Sequence, residues 1–455
     1  MVPVRAKASA WIYFTLCILV ILDAFVGSVW PMFITVGLII IYIILQFKNI
    51  PIQQRFAGVA LLAIGLIAAI ESGAVQETLI DGIGRSRIFL LLFFAVAWLQ
   101  TPVNKSPSLA TVRDAILNQP PGRRFLGLSI GIHILGALLN VAAVGLLSPL
   151  LKNRSDAVLH RRLCVATMHG FTSASAWSPF YIGMIVVLVA IPTVTWSQIA
   201  IQGIAMAAIM ILGGWLFDRI SYPRRKPIKN EYFIPVRSHK GIPRTIFILT
   251  LLISMVMLTL NFSDVSIPVA LGLTCPPFGL IWYATQKETH PDKGKPVIFM
   301  VNQVISGFAN LRNETLMFVA ANVFGIGIAS VIPTDNMLLL IDVILPWVDL
   351  RIAFITFIFL FFGFVGLHPI IVVLSLSAIL SPEIIGLRDW VLALTYLGCW
   401  GLATMISPYS GTTLFMSRYT GVPSYTIGWK WSLYSVCFNA VLMDVFIITL
   451  RHSTL

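Results

Sequence analysis

The sequence predicts an all-α polytopic membrane protein with about eleven transmembrane helices, two opposed re-entrant hairpins and inverted repeats. Composition, the distribution of basic residues and internal similarity support this fold class. Hydrophobic residues make up 58% of the 455 residues, charged residues make up 11%, and the mean hydropathy is +0.91. A soluble fold has too little interior to bury so much apolar surface. The net charge of +13 fits basic cytoplasmic loops, so we expect no nucleic-acid partner.

Nine apolar stretches have the length of a single spanning helix, which needs roughly 20 residues. They are 9–27, 31–47, 56–72, 88–104, 197–217, 245–262, 266–286, 315–332 and 427–449. Two longer segments, 163–192 and 390–423, carry Ser-Pro in the middle, and this pattern predicts interrupted helices. The amphipathic segments are expected at the membrane surface. They are 105–119, 296–311 and 334–349.

Basic residues flank the apolar segment 125–148 on both sides. Arg123 and Arg124 precede it, and Lys152 and Arg154 follow it. A single crossing would place one of these flanks outside, against the positive-inside rule. A hairpin that enters and leaves on the cytoplasmic side satisfies both flanks. With a cytoplasmic N-terminus, 352–382 becomes a second hairpin that enters from outside, and we expect a bacterial inner-membrane protein.

This topology divides the chain into four parts. They are the N-terminal scaffold helices 1–84; a first inverted repeat 85–217, with hairpin 125–148 and broken helix 163–192; a linking region 218–311, with a basic cytoplasmic loop, two helices and an interfacial segment; and a second repeat 312–455, with hairpin 352–382 and broken helix 390–423. The basic loop is interpreted as a topological signal, and contact with anionic membrane lipid is the alternative.

Short matches in a shared order indicate the repeat. Gly131-Ile-His133 matches Gly366-Leu-His368, Ser178-Pro179 matches Ser407-Pro408, and Trp196 matches Trp429. The topology puts the two copies in opposite orientations. Inverted repeats with broken helices are an architecture of secondary transporters, whose binding site lies near the bilayer midplane between the copies.

Polar residues at the breaks and hairpin tips are the candidate ligands for a solute or an ion. Interrupted helices offer N–H groups to an anion and carbonyl groups to a cation, and nearby hydroxyls can bind either. The candidates are Asn140, Ser173, Ser175, Ser178, Ser375, Ser377, Ser407, Ser410, Gly411, Thr412 and Thr413. The alternative is that Ser, Thr and Pro only pack or kink a membrane helix. Two clusters at equivalent repeat positions favour the binding hypothesis.

Titratable side chains in apolar segments are candidate carriers of a coupling proton. They are His133, His169 and His368, for which a structural hydrogen bond to a carbonyl is the alternative. Two acidic residues also lie in spans. Asp23 is predicted to have a structural partner, whereas the role of Asp444 stays open.

Enzymatic signatures are not evident in the sequence, which contains no HExxH, GxGxxG or Walker A motif. We therefore predict that the protein is not an enzyme and has no cofactor or metal, except for a sodium ion as one candidate coupling ion. The alternative is a membrane-embedded envelope-biogenesis enzyme or assembly factor. It would need His133, His169 and Asp444 to face one cavity.

Together these features resemble the ion transporter superfamily, and most of all the divalent anion/sodium symporter family. The resemblance covers the topology from about 85 to 449 and partial motifs. Asn140 followed by Pro149 resembles the family's hairpin tip, whereas Leu374-Ser375-Leu376 lacks the family's Asn. Ser178-Pro179 and Ser407-Pro408 resemble the turn of its interrupted helices. The resemblance implies a homodimer with an elevator motion that transports a small anionic solute, a carboxylate or an oxyanion, by symport with protons or sodium.

Overall fold

The computed structural model describes residues 4–26, 30–117, 123–147, 151, 156–222, 241–286, 296–332 and 334–453, and all regular structure in these ranges is helical. The α-helices are α1 Val4–Val26, α2 Trp30–Gln46, α3 Ile52–Glu71, α4 Val75–Lys105, α5 Pro107–Leu117, α6 Arg124–Leu139, α7 Val141–Leu146, α8 Ala157–Ser173, α9 Ile182–Ala190, α10 Trp196–Ser221, α11 Gly241–Phe262, α12 Ile267–Ala284, α13 Pro296–Gly307, α14 Arg312–Val331, α15 Thr334–Ile344, α16 Val348–Val365, α17 Pro369–Ile379, α18 Pro382–Ile385, α19 Asp389–Ile406, α20 Gly411–Thr420 and α21 Leu433–Ser453. A π-helix, Thr426–Ser432, leads directly into α21.

Ten helical segments in the described ranges are long and apolar enough to cross a membrane, which confirms the predicted all-α polytopic membrane fold. They include α16, which the sequence analysis assigned to a re-entrant hairpin. They do not include the predicted span 163–192, which is divided into α8 and α9. The predicted basic loop lies mostly outside the described residues.

The chain forms two compact units. Unit 1 comprises Met1–Ser106, Phe247–Pro333 and Leu374–Ile379, and unit 2 comprises Pro107–Ile246, Thr334–Val373 and Leu380–Leu455. The predicted boundary at residue 84 falls inside the continuous helix α4, and all of α4 belongs to unit 1.

Stacked aromatic rings form the core of unit 1. The ring of Phe308 stacks on Tyr13 and Phe94, with centroid distances of 5.3 and 5.4 Å. The hydroxyl of Tyr13 donates to the Leu90 carbonyl at 2.8 Å, so its polar end is satisfied inside the core. Asp23 pairs with Arg87 at 2.7 Å, which confirms the predicted structural pairing of this intramembrane acid.

Unit 2 contains both interrupted helices. At one end, the guanidinium of Arg162 in α8 donates to both carboxylate oxygens of Asp218, near the end of α10, at 2.8 and 2.7 Å. At the same end, Arg161 donates at 3.2 Å to the carbonyl of Lys430, just before α21. Helix α8 therefore begins where α10 ends and α21 begins.

Helix α19 begins at the opposite end of unit 2. Asp389 in its first turn lines a cavity together with Gln198 near the start of α10 and Leu450 near the end of α21. Because α8 starts at one end of α10 and α19 starts at the other, the two interrupted helices run in opposite directions. This relationship is the one that an inverted repeat requires.

Helix α6 in the first half of unit 2 and helix α16 in the second half each end at a residue with a positive φ. Helix α6 ends at Asn140, with φ = 52°, and α16 ends at Gly366, with φ = 105°. Gly366 adopts the left-handed helical conformation, which favours glycine, whereas Asn140 has a positive φ outside that region. The turn after α16 thus lies at Gly366, and the tip predicted at Ser375 is wrong because Ser375 is inside α17.

Candidate functional site

The first interruption lies between α8 and α9 at Ser178-Pro179. Its hydroxyls are buried and bonded to carbonyl groups of neighbouring helices. Ser178 donates to the carbonyl of Ala137 in α6. Ser175 donates to the carbonyls of Thr172, at 2.7 Å, and Leu397 in α19, at 3.0 Å. The two interrupted helices therefore meet at this break.

Asn140 and Ser173 also lie beside the first break. The amide of Asn140 donates to the Phe180 carbonyl at 3.3 Å, so the turn after α6 contacts the residue that follows Pro179. The hydroxyl of Ser173 donates to the Gly170 carbonyl at 2.9 Å and lies 2.9 Å from His133 Nδ1. The structure thus brings the predicted candidates of the first repeat together.

The second interruption lies between α19 and α20 at Ser407-Pro408. Pro408 has no N–H to donate to the carbonyl of Thr404, four residues earlier. The hydroxyl of Ser410 donates to that carbonyl instead, at 2.7 Å. It also caps α20 by accepting from the Thr413 N–H at 3.1 Å. Thr413 Oγ1 in turn donates to the Ser407 carbonyl at 2.6 Å. These two hydroxyls therefore stabilise the broken backbone.

Ser407 differs from its neighbours at this break. Its hydroxyl oxygen is buried and has no hydrogen-bond partner among the described residues. Thr412 is also buried, and the ideal Cβ position of Gly411 has no atom within 4 Å. Both residues lie in the first turn of α20, where N–H groups are not bonded within the helix. At the second break, the polar groups without a described hydrogen-bond partner therefore include the Ser407 hydroxyl, which lies close in sequence to the first turn of α20.

The predicted match between His133 and His368 is wrong. His133 lies inside α6, and its ring nitrogens contact Ser173 and the indole N–H of Trp177. His368 follows the turn at Gly366, and its Nδ1 accepts from the Ile370 N–H at 3.3 Å at the start of α17. The two Gly-x-His sequences look alike, but Gly131 is helical and Gly366 ends a helix.

His169 is buried between α8, α10 and α21. Its Nε2 lies 3.2 Å from Ser435 Oγ, and Ser435 donates to the Ser432 carbonyl at 2.8 Å. Because the Ser435 proton is used in this way, Nε2 carries the imidazole hydrogen. Nδ1 is then a buried acceptor without a partner among the described residues. The ring packs against Gly214, which has no side chain to displace it.

Ser375 and Ser377 belong to unit 1, whereas the other candidates belong to unit 2. Ser377 donates to the Leu374 carbonyl at 3.2 Å, which is a bond within α17. The Ser375 hydroxyl is buried without a described partner. Both residues lie in α17 and not at the break between α19 and α20.

A polar cavity of about 550 Å³ lies at the end of unit 2 where α19 begins. Its lining carries both charges, from Arg388 and Asp389, and the amides of Gln198 and Gln202. None of the candidate residues predicted from the sequence lines it. In the described ranges, no group of three or more His, Cys, Asp or Glu residues could hold a metal ion.

The sequence analysis did not identify two residues that hold titratable side chains in place by hydrogen bonds. Trp177 precedes Ser178, and its indole N–H holds the His133 ring by a hydrogen bond. In the sequence, only an aromatic residue next to Ser-Pro could have pointed to it. Thr356 in α16 donates to Asp444 in α21 at 2.7 Å. A lone threonine in an apolar helix gives no sequence signal of its own, because most such hydroxyls bond the preceding turn.

No protein-family model and no curated protein matches the sequence. Among solved structures, the fold is similar to the YdaH transporter of Alcanivorax borkumensis, with a TM-score of 0.54 and 13% identity over 86% of this chain and 98% of that chain. It is also similar to MtrF of Neisseria gonorrhoeae, described within a class of antimetabolite efflux pumps, with a TM-score of 0.54 and 13% identity over 83% and 85%. The chain therefore shares the fold of membrane transporters. The comparisons do not show the divalent anion/sodium symporter family.

Proposed function

We propose that the protein is a secondary active transporter of a small anionic solute, a carboxylate or an oxyanion. The observation that carries the proposal is the pair of interrupted helices, which run in opposite directions within unit 2 and meet through Ser175 and Leu397. An inverted repeat of this kind offers one site to both sides of the membrane in turn. The fold shared with membrane transporters supports the same class of function.

An anion is favoured because the second break presents donors. Gly411 and Thr412 begin α20, where unbonded N–H groups and the helix dipole attract negative charge. The buried Ser407 hydroxyl can donate a further hydrogen bond.

A proton is favoured over sodium as the coupling ion. Sodium would need several oxygen atoms that face one point. At the two breaks, the carbonyls of Ala137, Leu397, Thr404 and Ser407 already accept hydrogen bonds from the chain's own hydroxyls. These carbonyl oxygens are therefore poorly placed to bind sodium.

The proposal extends to assembly and motion. A homodimer in a bacterial inner membrane, with a cytoplasmic N-terminus, would carry unit 2 across the bilayer in an elevator motion. Unit 2 is the natural transport domain because it holds both breaks. Mass measurement in detergent tests the dimer, and accessibility of an N-terminal tag on intact cells and inverted vesicles tests the orientation.

Thermal-shift screening tests the function directly. The purified protein would be heated with a panel of organic acids and oxyanions, with and without sodium and across pH. A solute that binds the folded state raises the melting temperature by mass action. We expect an anionic hit that acidification changes and sodium does not. Stabilisation only by cations or neutral solutes would overturn the solute class.

Uptake into proteoliposomes tests the site. Ser178→Ala with Ser407→Ala is expected to abolish uptake of the solute found in the screen while leaving folded protein. Thr449→Ala is the matched control, because its exposed hydroxyl bonds only the preceding turn at Val445. Unchanged uptake by the double variant would exclude the two breaks as the binding site.

A further inference from the structure

Two acidic side chains of the spanning helices have opposite surroundings. Asp23 lies 2.7 Å from the Arg87 guanidinium. Asp444 lies at the middle of α21, and the Thr356 hydroxyl donates to its Oδ1 at 2.7 Å. In the described part of the chain, no cation pairs with Asp444 and nothing bonds its Oδ2. A carboxylate without a cation is therefore placed inside an apolar helix.

The elements packed against α21 bring no charge to this carboxylate. Cys399 of α19 is the titratable neighbour, and its Sγ lies 3.4 Å from the same Thr356 hydroxyl. Asp349 of α16 is paired with Arg451 and His452, near the far end of α21. Asp389 of α19 lies near that same end, beside Leu450, and Arg351 of α16 is paired with Asp342. Three further charges lie at the opposite end of α21. They are Asp218 and Arg219 of α10 and Lys430 of the π-helix.

An unpaired carboxylate in a bilayer is costly, and proton binding removes the cost by neutralising it. Thr356 can donate to Oδ1 in both states, so the proton binds Oδ2. It comes from hydronium and returns to water, and no other bond changes. The Cys399–Thr356–Asp444 contacts join this proton site to α19, eight residues before the break at Ser407.

We propose that Asp444 is an intramembrane proton-binding site. If the transport function proposed above holds, this proton is the one that drives the solute. The site differs from the three histidines that the sequence analysis named as candidates. Asp444 combines a position in a spanning helix, a single hydroxyl partner and no counter-cation.

Infrared difference spectroscopy tests proton binding without any solute. The purified protein in lipid nanodiscs would be titrated with acid while the C=O stretch of protonated carboxyl groups is recorded. The wild type is expected to show a titrating band that Asp444→Asn removes. Asp23→Asn is the matched control and should leave the band unchanged, because the Asp23 carboxylate already has a cation partner in Arg87. Thr356→Val should keep the band but shift its frequency, since the hydrogen bond to Oδ1 is lost.

A titrating band that survives unchanged in Asp444→Asn, or no such band in the wild type, would overturn the proposal. Asn keeps the shape of Asp and can accept from Thr356, so the variant should fold. Should it not elute as folded protein, Asp444→Glu, which must retain a titrating band of altered midpoint, takes its place. If the band depends on Asp444 but no solute binds, the transport function fails and the proton site stands.

Discussion

The indole N–H of Trp177 donates to Nε2 of His133 at 3.0 Å, across the gap between the first break and α6. Because an indole can only donate, Nε2 carries no hydrogen and Nδ1 holds the imidazole proton. Nδ1 donates to Ser173, which donates to the Gly170 carbonyl. The imidazole is therefore neutral, with both nitrogens engaged, and this arrangement leaves no acceptor for a second ring proton.

The first prediction follows from that chain of hydrogen bonds. His133→Ala leaves the Trp177 N–H without its acceptor and should cost about 1–3 kcal/mol of stability, the range for an orphaned buried group. The pH profile of uptake should stay that of the wild type. The measurements are the melting temperature and uptake across pH. A flattened profile at unchanged melting temperature would instead make His133 a proton carrier.

The second prediction concerns Ser410. Ser410→Ala removes the donor to the Thr404 carbonyl and the cap of the Thr413 N–H. Loss of a helix cap costs about 1 kcal/mol, and the buried carbonyl adds a similar amount. Melting temperatures of this variant and of Thr449→Ala should differ clearly. Equal melting temperatures would show that water replaces the hydrogen bonds of the Ser410 hydroxyl in the variant.

The third prediction concerns the ion pair at the start of α8. Arg162→Ala leaves the buried Asp218 carboxylate without its cation, and we expect a loss of about 3 kcal/mol. Arg113→Ala is the control, since Arg113 and Asp114 form a more exposed pair that should contribute about 0–1 kcal/mol. Denaturation of the purified variants compares the two losses. Equal losses would mean that burial of Asp218 has no energetic effect.

The fourth prediction uses two glycines. An ideal Cβ on Gly203 would lie 2.1 Å from the Ala176 carbonyl oxygen, so Gly203→Ala pushes α10 away from the first break. Overpacking of this kind costs about 1–3 kcal/mol. Gly411→Ala meets no atom within 4 Å and should leave the melting temperature unchanged or higher. The opposite order of the two melting temperatures would contradict this packing.

The breaks were predictable from Ser-Pro in the middle of a long apolar segment. Pro179 and Pro408 each remove a backbone donor and follow serine in the middle of a segment too long for one helix, so the positions of the breaks were correct from the sequence. Proline alone is not sufficient, since Pro102, Pro276 and Pro277 lie inside continuous helices. The turn at Gly366 was missed because Gly-Leu-His resembled Gly-Ile-His, and a glycine in a sequence does not reveal whether it packs in a helix or ends one. Contacts such as Thr356 to Asp444 join residues 88 apart in sequence and need the folded chain.

The π-helix Thr426–Ser432 determines in which direction around the helix axis each side chain of α21 points. One extra residue in a turn rotates the following helix by about 100°. Asp444 lies 12 positions beyond Ser432, about 18 Å along the axis at 1.5 Å per residue. Removing a single residue from Thr426–Ser432 would restore ordinary winding and turn the carboxylate away from Thr356. The number of residues in the π-helix therefore determines whether Asp444 can reach Thr356, just as the aspartate side chain itself does.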